Sequence, residues 1–109
     1  MNGLAAKKCI PCQGGILPMK EEKAREILRG ADKWELIENA KKLRREFKFR
    51  DFREAMEFVN SVAQIAESEG HHPDIAVSYN IVTLTLFTHK INGLHENDFI
   101  LAAKIDGVK

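Results

Sequence analysis

A long amphipathic helix pattern, followed at once by strand-like alternation, is the feature that most restricts the fold of this 109-residue chain. Asp51 followed by Glu54 resembles a helix capping box, with aspartate in place of the usual serine or threonine. Gly70 suits the C-terminal end of a helix, and Pro73 prevents the helix from resuming. Between these ends, apolar residues recur at the i, i+3, i+4, i+7 spacing of a buried helix face: Phe52, Ala55, Met56, Val59, Val62, Ala63 and Ala66. The sequence therefore predicts a helix from about Asp51 to Gly70.

Strand-like alternation occurs both after and before this helix. Two runs after the helix are rich in β-branched, aromatic and leucine residues: Ile75, Val77 and Tyr79, then Val82, Leu84 and Leu86. Asn80 separates these runs, which leaves open either two strands or one long bent strand. Two further runs precede the helix: Trp34 and Leu36, then Leu43, Phe47 and Phe49. Asn39 and Ala40 lie between them and can form a hairpin turn.

A helix is also predicted near each end of the chain. Pro18, which is tolerated in a first turn, starts the first of these helices, and the last one runs from about Glu96 to Ile105. The order α-β-β-α-β-β-α predicts an α+β fold, in which an antiparallel four-stranded sheet carries three helices on one face. The length suits one domain, which we assign to residues 18–109, and residues 1–17 are interpreted as an irregular leader.

The leader contains the pair Cys9 and Cys12, spaced as Cys-x2-Cys. One such pair supplies only two of the four ligands that a structural zinc site needs. Pro11 and the glycines at 14–15 differ from the redox motif that opens a helix after a strand. We therefore expect the leader to be a surface arm.

Charge and hydropathy exclude several classes of function. The net charge is +1, whereas nucleic-acid-binding domains usually show a strong basic bias, so a nucleic-acid partner is not expected. No apolar run approaches the roughly 20 residues that span a bilayer, and no secretory signal is visible, so no membrane partner is expected. These features favour a cytoplasmic protein.

Three of the four histidines form a candidate acid/base set, because histidine is the side chain whose ordinary pKa lies near neutral. His71 and His72 come just after the long helix, where the negative end of its dipole favours a protonated imidazole. Adjacent residues in extended chain point in opposite directions, so the two are expected to have different roles. Glu67 lies one turn back and can orient an imidazole, and His89 is expected near the end of the last strand. Adjacent histidines seldom bind one ion, so no metal site is predicted.

The spacing of these residues resembles that of the pterin-4a-carbinolamine dehydratase family. The resembling array contains seven residues: Glu67, His71, His72, Pro73, Tyr79, His89 and Asp98. Trp34, residues 47–52 and Gly93-Leu94 resemble the family too. The resemblance implies an α+β fold that associates into homodimers or homotetramers. It also implies that the enzyme removes water from a 4a-hydroxytetrahydropterin to give the quinonoid dihydropterin.

The same resemblance implies roles for individual residues. His71 and His89 are the best acid/base candidates, and His72 completes the catalytic group mainly by binding and orienting the pterin. The expected substrate-binding residues are Glu67, His71, His72, Pro73, Thr88 and His89. No cofactor is expected, because the pterin is itself the substrate and two groups that titrate near neutrality suffice for the proton transfers.

Structural interpretations are favoured for three other polar residues. Tyr79 is expected to belong to the core or to a pocket wall, Asp98 to cap or brace the last helix, and His95 to start that helix. The family also includes non-catalytic adaptors and coactivators, so an adaptor is the alternative function. The basic segment 41–50, with its interleaved aromatics, could bind nucleic acid, but we favour a solvated strand face.

Overall fold

Four antiparallel strands and three α-helices form the part of the protein that this computed structural model describes, residues 3–11, 14–29 and 33–108. The strands lie in the order β1-β2-β4-β3. The predicted α+β class and the order α-β-β-α-β-β-α are confirmed. Cys12, one half of the Cys-x2-Cys pair, lies outside the described residues. In chain order the elements are α1 Glu21–Ile27, β1 Glu35–Ile37, β2 Lys42–Lys48, α2 Phe52–Glu69, β3 Asp74–Ser78, β4 Ile81–Leu86 and α3 Glu96–Asp106.

The first helix starts later than the sequence predicted. Pro18 precedes α1, which begins at Glu21. The backbone amide of Met19 donates to the carbonyl of Leu94 at 2.8 Å. Pro18 also packs so closely on Gly93 that a Cβ added to that glycine would lie 2.5 Å from the Pro18 Cβ. Because these contacts hold the chain beside residues 93–94, the helix forms only after them.

The long helix α2 has the predicted ends and covers the sheet. The side chain of Asp51 accepts a hydrogen bond from the Glu54 amide at 2.9 Å, and Gly70 ends the helix with a left-handed φ of 65°. Phe52 and Ala63 were predicted to be buried, but both are exposed, and Phe52, in the first turn of the helix, is 51% exposed. The helix and the sheet share one hydrophobic core, to which α2 contributes Ala55, Phe58 and Val62, and the sheet Leu43, Phe47, Val82, Leu84 and Leu86.

The run after α2 forms two strands joined by a tight turn. Asn80 in this turn bonds in both directions with the backbone of Phe49, which fixes the turn against the end of β2. Tyr79 has a φ of 52° and is 66% exposed, so the expectation of a core or pocket-wall tyrosine is wrong. All of β3 is exposed as well, including Ile75 and Val77 at 38% each, because β3 is an edge strand. Within the described ranges, no helix has both the length and the apolar character required to cross a membrane.

Candidate active site

The histidine pair leaves α2 through the turn at Gly70. The His71 amide donates to the Ala66 carbonyl at 3.2 Å, which closes the helix end as a left-handed glycine cap usually does. His71 is buried, with 9% exposure, whereas the side chain of His72 is 59% exposed. The two neighbours therefore have different surroundings, although both line the same pocket.

The carboxylate of Asp98 holds the imidazole of His71. The distance from His71 Nε2 to Asp98 Oδ1 is 2.6 Å. The other oxygen, Oδ2, accepts from the Thr88 hydroxyl at 2.9 Å and from the His95 amide at 3.0 Å. Because a carboxylate only accepts hydrogen bonds, the Nε2 of His71 carries the donated proton. The Nδ1 of His71 is then the nitrogen that can exchange a proton with a ligand.

Asp98 caps α3, as the sequence predicted, but its contact with His71 was missed. The cap is reciprocal, since the His95 ring nitrogen Nδ1 accepts from the Asn97 amide at 3.0 Å while Asp98 accepts from the His95 amide. The prediction that His95 starts the last helix is therefore confirmed. Nothing in the 27-residue separation of His71 and Asp98 indicates their contact, although both belong to the array that carries the family resemblance.

His72 forms an exposed pair with Glu67. Its Nε2 lies 2.5 Å from Glu67 Oε2, and the Glu67 side chain is 79% exposed. Glu67 lies in the last turn of α2, so the predicted orienting contact exists and its partner is His72. The pair is open to solvent, which weakens its electrostatic attraction relative to that of the buried His71–Asp98 pair.

His89 lies just past the end of β4 and not within the strand. A β-bridge between Thr88 and Gly93 closes the short loop that contains it, and His89 begins a single 3-10 turn there. Its exposed ring stacks on Phe87, with ring centroids 4.1 Å apart. The ammonium of Lys42 lies 4.5 Å from the centroid of the same Phe87 ring. The stack limits the orientations that the His89 imidazole can adopt.

These loops enclose a pocket of about 360 Å³. A volume in this range suits a small-molecule ligand. A larger cavity of about 520 Å³ lies between α2 and α3, but it contains no histidine, so the smaller pocket is the better site for proton-transfer chemistry. The residues that line the smaller pocket are Gly70, His71, His72, Thr88, His89 and Lys90. Four of the predicted site residues thus line one pocket. Lys90 lines it too and was not predicted.

Two other predicted binding residues, Glu67 and Pro73, lie outside that lining. Glu67 reaches the site through His72, and Pro73 follows the histidine pair in the loop that leads into β3. Tyr79 lies at the far end of β3, in the turn before β4. Among the described residues, no group of three or more histidine, cysteine or acidic side chains is arranged to hold a metal ion.

Comparison with known proteins identifies the class to which this fold and this pocket belong. The family model described as pterin 4 alpha carbinolamine dehydratase matches residues 17–108. A protein of Methylococcus capsulatus, named "Putative pterin-4-alpha-carbinolamine dehydratase", is 52% identical over 103 residues, which cover 94% of this chain and 90% of the relative. A protein of the same name from Halorhodospira halophila is 50% identical and covers 96% of each chain. The chain therefore belongs to the pterin 4 alpha carbinolamine dehydratase family, as the resemblance predicted.

Solved structures resemble the fold as well. The transcriptional coactivator/pterin dehydratase from Brucella melitensis superposes with a TM-score of 0.78 at 36% identity, covering 84% of this chain and 97% of that one. A pterin dehydratase-like protein described as a RuBisCO assembly factor in the alpha-carboxysome has a TM-score of 0.60 at 24% identity, covering 69% and 87%. The second likeness concerns the fold alone. The names of these two proteins associate one fold with more than one function.

Proposed function

We propose that the protein is a dehydratase that converts a 4a-hydroxytetrahydropterin to the quinonoid dihydropterin and water. The observation that carries this proposal is the meeting of His71, His72 and His89 around one pocket. Membership of the family supports the same substrate class.

The reaction requires two proton movements and no change of oxidation state overall. The hydroxyl at C4a leaves as water after it gains a proton, and N5 loses a proton as the C4a–N5 bond becomes double. We assign these transfers to His71 and His89. Both line the pocket, His71 from the loop before β3 and His89 from the loop after β4. The imidazoles can perform both transfers near neutral pH, so the proposed mechanism uses no metal or redox cofactor.

The surroundings of the two histidines support different contributions. Asp98 holds Nε2 of His71, which lines the pocket, and this contact fixes both the tautomer and the ring orientation of the imidazole. His89 is exposed and packs against Phe87 with the two ring planes tilted by 41°, so solvent can reach its imidazole. In this proposal His72 binds and orients the pterin, with Glu67 as its supporting carboxylate, and Thr88 lies beside the ring.

The direct test is the dehydration rate of a freshly generated 4a-hydroxytetrahydropterin with the wild-type protein and with His71→Ala. We expect the wild type to accelerate dehydration strongly and the variant to lose about 10²- to 10⁴-fold, which is the usual contribution of a positioned proton-transfer group. His95→Asn is the matched control, because it removes an imidazole outside the pocket while asparagine keeps the helix cap. A folded wild-type protein that fails to exceed the spontaneous rate would sink the dehydratase proposal.

An adaptor function is the second candidate, and it is supported by the likeness to the Brucella protein, which is named a coactivator as well as a dehydratase. The basic segment contributes little to a nucleic-acid version of this function, because four of its six basic side chains form ion pairs within the chain. Arg44 contacts Glu35 at 2.8 Å, and Arg45 pairs with Asp106. Binding to single-stranded nucleic acid that falls steeply with salt would favour the adaptor.

We also propose that the chain associates with copies of itself as a homodimer or homotetramer. The exposed edge strand β3, with Ile75 and Val77 at its surface, supports this, because unprotected sheet edges tend to pair with another strand. Light scattering of the wild type and of a Val77→Lys variant tests it: a smaller mass for the variant is expected, and a monomeric wild type would contradict the proposal.

A further inference from the structure

Most described residues of the N-terminal segment are exposed, as in the surface arm that the sequence suggested, but the segment is also anchored to the rest of the protein. Its first described residues form a 3-10 turn, Leu4–Ala6, in which Leu4 is buried with 8% exposure. The ammonium of Lys104 on α3 donates to the Ala5 carbonyl at 2.7 Å. The segment therefore lies along α3 and is anchored before it reaches the cysteine at position 9.

Residues 9 and 10 then connect the two helix ends from which the site is built. The Cys9 amide donates to Glu69 Oε1 at 2.8 Å, and Glu69 is the last residue of α2. The Ile10 amide donates to Asn97 Oδ1 at 3.0 Å, while Asn97 Nδ2 donates to the Ile10 carbonyl at 2.7 Å. The oxygen and the nitrogen of the Asn97 side-chain amide are thus both used to hold the backbone of one residue.

These anchors are buried and lie directly next to the site residues in the chain. Asn97 is 1% exposed and immediately precedes Asp98. The Glu69 side chain is 7% exposed and precedes His71 by two residues. A hydrogen bond is worth most where water cannot replace it, so these contacts constrain the two helix ends more strongly than surface contacts would.

We propose that Cys9 and Ile10 act as a strap that positions the His71–Asp98 pair, with Glu69 and Asn97 as positioning residues. The strap ties the end of α2 to the start of α3, and His71 and Asp98 project from those same two places. This inference rests on the proposed function for its catalytic consequence, but the geometric claim stands independently of it.

The thiol of Cys9 is part of the strap and provides a way to observe it. Its Sγ lies 3.6 Å from the Asn97 carbonyl oxygen. Burial, reinforced by the negative charge of Glu69, raises the pKa of Cys9 to about 12. A thiol in this state reacts slowly with alkylating reagents at pH 8, because the thiolate is the reactive form. Detachment of the strap should therefore be visible as faster alkylation of Cys9.

The test compares full-length proteins that all carry Cys12→Ser. The chain has two cysteines, so Cys9 is then the one thiol that can be alkylated. Asn97→Ala removes both bonds to Ile10, and Asn97→Asp keeps only the acceptor for the Ile10 amide. Lys7→Ala is the matched control, because it breaks an exposed contact of the same segment with α3, the 3.2 Å pair with Glu96. Three quantities are measured: the alkylation rate of Cys9, the downfield proton resonance of His71 Nε2–H, and kcat and KM for the pterin.

In Asn97→Ala we expect faster alkylation, loss or broadening of the His71 proton resonance, and about a tenfold fall in kcat with little change in KM, because misorientation affects the proton transfer more than substrate binding. Asn97→Asp should lie between this variant and the wild type, and Lys7→Ala should match the wild type. Faster alkylation with an unchanged His71 resonance would overturn the proposal, as would unchanged alkylation in Asn97→Ala. If the wild type had no dehydratase activity, the alkylation rate and the resonance would still decide whether the strap exists.

Discussion

His71 and His72 are consecutive residues, yet one is buried and the other is exposed. His71 is buried and bonded to Asp98, a fully buried carboxylate that also accepts from Thr88. His72 is mostly exposed and pairs with Glu67, which is more exposed still. One loop thus carries a buried imidazole held by a buried carboxylate next to an exposed imidazole held by an exposed one.

A similar contrast between a buried and an exposed imidazole separates the His71 side of the pocket from the His89 side. The His71 side is fixed by helix ends, a helix cap and the N-terminal strap, whereas His89 is exposed and positioned mainly by stacking on Phe87. A rigid proton-transfer group opposite an adaptable one suits a reaction in which the substrate enters from solvent and releases water. It follows that changes on the buried side should affect both stability and activity, and changes on the exposed side activity alone.

The largest effect is expected for Asp98→Asn. The carboxylate accepts three hydrogen bonds, and asparagine replaces one of its two oxygens with a donor, so at least one of the three is lost. We therefore expect a loss of about 1–3 kcal/mol in the free energy of unfolding and about 10²-fold in kcat. Urea unfolding and turnover measurements check the two parts. Asp74→Asn, at the exposed start of β3, is the control that should change neither quantity. An Asp98→Asn protein with wild-type turnover would show that the buried bond to His71 has no catalytic role.

Replacement of the exposed histidine should separate activity from stability. For His89→Gln we expect about a 10²-fold loss in kcat, because a proton-transfer group is removed, and a change in unfolding free energy within about 0.5 kcal/mol, because the side chain is exposed. Parallel assays of turnover and thermal unfolding test this. A clear fall in stability would mean that the stack on Phe87 contributes to the fold and that the two sides of the pocket are more alike than proposed.

A smaller effect is expected at Gly70, the residue that ends α2 just before the two histidines. Gly70 has a φ of 65°, and no atom lies within 4 Å of a Cβ added there, so Gly70→Ala should cost about 1 kcal/mol through backbone strain alone. Gly70→Asn is the matched variant, since asparagine tolerates the left-handed conformation and should recover part of the loss. Equal losses in urea unfolding for the two variants would point to another cause, such as a changed contact in the pocket.

The smallest expected effect is a change in the pH dependence of stability, and it distinguishes Glu69 from its neighbour Glu67 on α2. The hydrogen bond from the Cys9 amide, helped by the charge of Lys104, lowers the pKa of Glu69 below its ordinary 4.5, despite the opposing effect of burial. Its stabilising contribution is therefore present above pH 4.5 and is lost as the pH falls through the lower folded-state pKa. Unfolding free energies measured between pH 7 and pH 3 should fall less steeply for Glu69→Gln than for the wild type. Glu67→Gln, on the exposed face, is the control, and an equal change in both would contradict a special role for Glu69.

Much of the fold was predictable because its signals are local. The Asp51 cap, the apolar face of α2 and the glycine at its end are short-range patterns with a direct physical cause, and each of these is found in the structure. The errors arose where tertiary contacts override such patterns. Pro18 could start a helix but is held extended against Gly93, and Phe52 fits the apolar spacing but is exposed in the first turn of α2.

The same distinction between local signals and tertiary contacts applies to the candidate site. The spacing of the histidines and their resemblance to a family supplied the candidate residues, and four of them meet at one pocket. The pairing of His71 with Asp98, the stack of His89 on Phe87 and the anchoring of residues 9 and 10 were not predicted. Each of these contacts depends on how close two side chains lie in space or on which way a ring turns, and sequence separation contains little information about either.

The sequence by itself determined the order of helices and strands and the residues able to transfer protons, because periodicity and side-chain chemistry are properties of the chain. Only the tertiary structure decided which histidine is buried and held by Asp98 and which is exposed and paired with a solvent-facing glutamate. That outcome depends on the packing of α3 against the end of α2, which brings Asp98 to His71 and leaves His72 in solvent.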